Sequence, residues 1–154
     1  MTAAPFLTIS DSHELAEDVR ALFDDLAASL KHEQRAYSGE CHPVLDVYET
    51  DDGLELIVDV CGVAPEALRV RFRDGVVLIA GEKAPPAGSG DQTFHLVERE
   101  FGRFARAVRV SGALDLANAT ATLRNGELTV VLPKRLERRG QPHHIPVTAG
   151  EQPA

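Results

Sequence analysis

The sequence predicts an all-β fold, an immunoglobulin-like antiparallel β-sandwich over residues 43–134, preceded by an amphipathic helix and followed by a flexible tail. Three observations predict it. The hydrophobic period changes from helical spacing to alternation at Pro43, three turn signals (Asp51-Asp52-Gly53, Asp74-Gly75 and Asn125-Gly126) each lie between two alternating runs, and Pro133 ends the last run. Asp-Gly and Asn-Gly supply the positive φ angles of tight hairpin turns, so each unit reads as a hairpin. Hairpins in such number must stack their apolar faces in a sandwich or barrel.

The N-terminal arm, residues 1–42, holds a helix over about residues 11–35, with Asp11 and Glu14 spaced as a capping box. Leu15, Val19, Leu22, Phe23, Leu26 and Leu30 recur on one helical face, and Glu14, Glu17, Asp18, Asp24, Asp25 and Lys31 read as the opposite face. That apolar stripe needs cover from its own sandwich, another subunit or another protein. The hairpins pair Val44–Glu49 with Leu54–Val60, Leu68–Arg73 with Val76–Ala80, and Ala119–Arg124 with Glu127–Leu132. In the first, Leu54, Leu56, Val58 and Val60 take the inner side. In the second, Leu68, Val70 and Phe72 alternate with Arg69, Arg71 and Arg73. This all-arginine outer face reads as either a solvated surface or a contact with a subunit or another protein.

A Pro- and Gly-rich loop between Lys83 and Thr93 has no strand propensity of its own. Its length lets Thr93–Glu100 project and pair with a sheet edge of a second copy. Phe104–Val110 returns as a strand, and Ser111–Asn118 crosses to the last hairpin. The tail, residues 135–154, is polar except for the island Ile145-Pro146-Val147.

Composition narrows the function. With 154 residues, 44% hydrophobic and 26% charged, the chain suits one soluble domain. The net charge is −8, and only residues 97–139 are basic, with nine Lys and Arg against five Asp and Glu. Such a chain is a poor match for the phosphate backbone of nucleic acids. No apolar run is long enough to span a membrane and no leader pattern opens the chain, so a cytoplasmic location is expected.

No phosphate loop, zinc-protease motif or nucleophile elbow is present, and the chain reads as a non-enzyme without cofactor or metal. His143-His144 lack further ligands for a closed metal site, and Cys41 and His42, as chain neighbours, point apart. Cys41 and Cys61 form no disulfide framework, and Cys61, after an apolar strand, reads as a small packed side chain.

Four ordered blocks carry a resemblance. They are Asp59-Val60-Cys61-Gly62-Val63, the stretch Asp74-Gly75-Val76-Val77-Leu78-Ile79-Ala80-Gly81-Glu82-Lys83, the stretch Glu98-Arg99-Glu100-Phe101-Gly102-Arg103-Phe104-Ala105-Arg106, and Ala121-Thr122-Leu123-Arg124-Asn125-Gly126-Glu127-Leu128-Thr129-Val130-Val131-Leu132-Pro133. Together with Ile145-Pro146-Val147 they resemble the α-crystallin domain and C-terminal anchor of small heat-shock proteins, in the bacterial and plant branch. Cys61 and Ser111 stand where that family usually carries Pro.

The resemblance implies a stress-response chaperone, an ATP-independent holdase that keeps partly unfolded clients from aggregating and passes them to ATP-dependent refolding chaperones. It implies a homodimer interface at Phe94, His95, Leu96, Val97, Glu98, Arg99, Glu100 and Arg103, with acidic partners for Arg103 on the other copy. It further implies an oligomerisation anchor, Ile145, Pro146 and Val147, entering a groove lined by Leu68, Val70, Phe72, Ala119, Ala121 and Leu123. The helix residues Leu15, Val19, Leu22, Phe23, Leu26 and Leu30 become client-binding candidates. The alternative is a co-chaperone-like adaptor sandwich that binds one specific folded partner.

Overall fold

The computed structural model describes residues 13–30, 40–85, 92–136, 142 and 144–147. Helix α1 spans His13–Ser29, and a hydrogen bond from the Leu30 amide to the Leu26 carbonyl (2.8 Å) closes its last turn. The expected cap at Asp11 and Glu14 and the expected continuation to residue 35 lie outside the described residues or side chains.

Seven strands follow: β1 (Leu45–Glu49), β2 (Gly53–Asp59), β3 (Leu68–Arg73), β4 (Val76–Lys83), β5 (Gly102–Arg109), β6 (Thr120–Arg124) and β7 (Glu127–Pro133). They form a four-stranded antiparallel sheet in the order β1-β2-β7-β6 and a three-stranded antiparallel sheet in the order β3-β4-β5. The sandwich reading is therefore shown, and all three hairpins form, although at the first Gly53 lies in β2 without a positive φ and the chain turns through Thr50, Asp51 and Asp52. Asp74 and Gly75 take φ of 50° and 77°, and Asn125 and Gly126 take 52° and 80°. These angles twist the turns in the sense that the strands themselves twist.

The strand alternation builds the core. Leu54, Leu56 and Val58 of β2 and Leu128, Val130 and Leu132 of β7 face Val77 and Ile79 of β4 and Phe104 and Val108 of β5. Gly81 makes room for Phe104, since a Cβ there would collide with the ring and with the Ala67 carbonyl. Strand β4 differs from the others because both of its faces are covered. Val77 and Ile79 enter the sandwich, while Leu78 and Ala80 point outward and are buried with Leu22 of α1. An unbroken apolar run is the expected sequence for a strand buried on both sides.

Candidate functional site

Three surfaces that the folded sandwich leaves open or occupies itself hold the predicted functional residues. The first lies around β5. The Cys41 amide donates to the Arg103 carbonyl (3.2 Å), and Arg106 Nη1 donates to the Pro43 carbonyl (2.6 Å), so the chain entering β1 runs along β5. Residues 92–100 precede this edge, and all nine are exposed and outside any strand of this chain. Phe94, Leu96 and Val97 are 71%, 74% and 64% exposed. Arg99 stacks on Phe101, with the guanidinium carbon 4.9 Å from the ring centroid, and Lys83 lies 5.9 Å from the same ring. Glu100 accepts a hydrogen bond from the His42 amide (3.2 Å). His95 and Glu98 are likewise exposed.

Arg103 has partners within its own chain. Its Nε lies 3.7 Å from Glu82 Oε2, and its guanidinium lies 5.2 Å from the centroid of Phe23 on α1.

The second surface is the expected groove, whose residues lie on β3 and on β6 with the residue before it, each an outer strand of its sheet. Leu68 is buried, Phe72, Ala119 and Leu123 are half-buried against the core, and Val70 and Ala121 are exposed. Among the described residues neither edge is paired with a further strand. Ile145 and Val147, with Pro146 between them, stand apart from the sandwich at 77% and 98% exposure. Of the expected groove residues, Leu68, Phe72, Ala119 and Leu123 pack against the same core, and the anchor residues do not sit on them.

The third surface is the arginine row of β3. Arg69, Arg71 and Arg73 meet acidic and polar side chains of the chain's own helix, while Arg71 and Arg73 stay 41% and 60% exposed. Arg69 Nε meets Asp25 Oδ2 at 2.6 Å and Nη2 donates to Ser29 Oγ at 2.8 Å. Asp18 takes Arg73 at 3.0 Å and Arg71 at 3.8 Å. Between these contacts Leu22 and Leu26 are buried to 3% and 1% exposure, with Leu15, Val19 and Phe23 packed around Leu22, Leu78 and Ala80. Leu30 reaches the main core.

At 100° per residue, Asp18 and Asp25 fall on the borders of the apolar stripe, not on its opposite face. That position lets the carboxylates reach β3 while the leucines meet β4. Burying each leucine contributes about 1.5–3 kcal/mol, whereas the more exposed ion pairs contribute about 0.2–1 kcal/mol each. Apolar burial holds the helix, and the charges choose its position. Asp18, Asp25 and Ser29 were not singled out from sequence as site residues, although an acidic helix border and a basic strand face are a complementary pair.

The two cysteines behave differently from each other. Cys41 is half-buried in a cleft of about 310 Å³ lined by Phe23, Glu40, His42, Arg103, Phe104 and Ala105. Burial pushes its thiol above the ordinary value, more than Lys83 lowers it, so this is no activated nucleophile. The His42 ring sits 3.7 Å from Glu40 and is exposed. Cys61 corrects another expectation, because it is exposed rather than packed. It follows the end of β2 at a turn where Gly62 takes φ of 80°, so strand alternation no longer governs its side chain. Among the described residues no three His, Cys, Asp or Glu side chains gather as a metal ion would require. His144 is exposed, and His143 lies outside the described residues. No helix of the described residues is long and apolar enough to cross a membrane.

Comparison with known proteins agrees with this geometry. The model of the Hsp20/alpha crystallin family matches residues 46–148. Heat shock protein 16 of Schizosaccharomyces pombe is 32% identical over 120 residues, covering 75% of this chain and 82% of its own. The 19.0 kDa class II heat shock protein of Oryza sativa is 36% identical over 124 residues, covering 73% of this chain and 71% of its own. Among solved structures, heat shock protein 16.0 of S. pombe superposes with a TM-score of 0.60 at 31% identity, over 71% of this chain and all of that one. A small heat-shock protein from Xylella fastidiosa, described as having a distinct high order structure, gives a TM-score of 0.60 at 28% identity, over 71% of this chain and 98% of that one.

Proposed function

The chain belongs to the Hsp20/alpha crystallin family of small heat-shock proteins, and from that premise we propose that it is an ATP-independent holdase. It binds partly unfolded proteins in the cytoplasm under heat or other stress and keeps them from aggregating until ATP-dependent chaperones refold them.

One observation carries the reading: the sandwich core is complete, yet large apolar side chains remain exposed in two segments outside it. Phe94, Leu96 and Val97 lie before β5, and Ile145 and Val147 lie in the tail. Exposed apolar side chains of this size beside unpaired strand edges mark surfaces for other polypeptides. In the proposed assembly Phe94–Glu100 adds to a sheet edge of a second copy, and Arg103 exchanges or shares Glu82 with acidic groups across that interface. Ile145 and Val147 enter the β3/β6 groove of another dimer. The high order structure ascribed to the X. fastidiosa relative is in keeping with such self-association. Residues 1–42, 43–134 and 135–154 then act as arm, sandwich and tail.

The test is nucleotide-free light scattering of a heated unrelated client. Stoichiometric amounts of the protein are expected to suppress the rise. No suppression at any ratio, with one stable complex to a single folded protein, would instead establish the adaptor reading.

A further inference from the structure

The outer face of the three-stranded sheet is built to accept a helix of defined chemistry. Its centre is small and apolar, formed by Leu78 and Ala80 with Ala107 beside them, and its border is the row Arg69, Arg71 and Arg73. The occupant, α1, offers Asp18, Leu22, Asp25, Leu26 and Ser29, which share one side of a helix and meet that face in register. We propose that this face is a receptor for acidic amphipathic helices, occupied by the chain's own α1, and that segments of the same chemistry in other proteins compete for it.

Several features support competition. Each of the three ion pairs in the register has at least one exposed partner, Asp25, Arg71 or Arg73, within reach of water and salt, while Asp18 and Arg69 are half-buried. None of the β3-β4-β5 ladder runs through α1, because its hydrogen bonds join the sheet's own strands and its inner face belongs to the sandwich core. Departure of α1 therefore uncovers an apolar strip flanked by three guanidinium groups and leaves the strands paired. An incoming segment needs leucines or similar residues four positions apart and carboxylates at the stripe's borders. Basic or uncharged amphipathic helices bring no carboxylate to the arginine row and are disfavoured. As a definition of client chemistry this rests on the holdase reading, whereas the binding step stands independently of it.

The test uses full-length protein and a fluorescent peptide of residues 13–30, followed by anisotropy. A chain carrying Asp18→Lys and Asp25→Lys, whose own helix is repelled by β3, is expected to bind the native peptide about tenfold more tightly than wild type does, because the tethered competitor is gone. A peptide with the same two reversals is expected not to bind either chain. A chain with Arg69→Glu, Arg71→Glu and Arg73→Glu is expected to lose the native peptide and gain the reversed one. Equal binding of the two peptides, or no binding by the Asp18→Lys, Asp25→Lys chain while circular dichroism shows its sandwich intact, would overturn the proposal. Should that chain not fold, wild type at higher peptide concentration decides. Discrimination between the peptides supports the receptor, and equal or absent binding refutes it. Client light scattering on the same samples separates the two claims. Peptide binding without client protection sinks the holdase and keeps the receptor, and protection without peptide binding does the reverse.

Discussion

At the scale of single residues, the contrast between Cys41 and Cys61 follows from where the chain leaves β-alternation. Cys41 lies in the cleft beside β5 with a raised thiol pKa, first through burial. The thiol's pKa therefore lies above its ordinary value in the folded chain and returns to that value on unfolding. Below that value the thiol is neutral in both states. As pH rises through it, the unfolded chain releases the proton first, so this group lowers stability only in alkali. Alkylation by iodoacetamide at pH 8 is expected to label Cys61 rapidly and Cys41 slowly, with the two rates converging in denaturant. Equal rates in the folded protein would place Cys41 outside its cleft. The same scale holds the core test. Ile79 is fully buried between the sheets, so Ile79→Ala is expected to cost about 2–5 kcal/mol in chemical denaturation.

At the scale of elements, the seven strands were largely legible because hairpin chemistry is local. Asp-Gly and Asn-Gly fix a turn, and alternation fixes the buried face, without reference to distant residues. The groove proposed on β3 and β6 rests on resemblance alone, since whether two edges meet depends on how the sheets stack, which alternation does not encode. The position of α1 was not legible, because its stripe suits any apolar surface and the choice comes from matching Asp18 and Asp25 to Arg69, Arg71 and Arg73. One signal was available: Val76-Val77-Leu78-Ile79-Ala80 does not alternate, which requires cover on the outer face of β4 as well as the inner. A physical consequence separates the two covers. Leu26→Ala is expected to unseat α1, raising amide exchange in residues 15–29, while β2, β4 and β7 keep their protection. Loss of protection across the whole sandwich would show that α1 is an integral part of its stability.

At the scale of the whole molecule, the fold separates what is finished from what is left available. Each sheet has two edges, and among the described residues none pairs with a further strand, although a single bridge from Glu40 touches Arg103 on the β5 edge. An antiparallel sandwich with free edges and exposed Phe94, Leu96 and Val97 is a poor monomer, because edge strands invite pairing with like edges. In the proposed assembly the tail adds a second, weaker link. Ile145 and Val147 lie on either side of Pro146, whose fixed φ keeps the segment extended, and extended geometry sends the two side chains to the same side. Their burial in a groove contributes about 3–6 kcal/mol before the cost of ordering the tail, which suits a link that opens and closes. Removing it should therefore dissolve the larger assembly without disturbing the smaller. Ile145→Gly with Val147→Gly is expected to lower the mass measured by light scattering after size-exclusion chromatography to that of a dimer, with the thermal unfolding of the sandwich unchanged. A wild-type mass already equal to a dimer would assign the anchor another occupant, and a drop to monomer would mean that Phe94–Glu100 does not hold two copies together by itself.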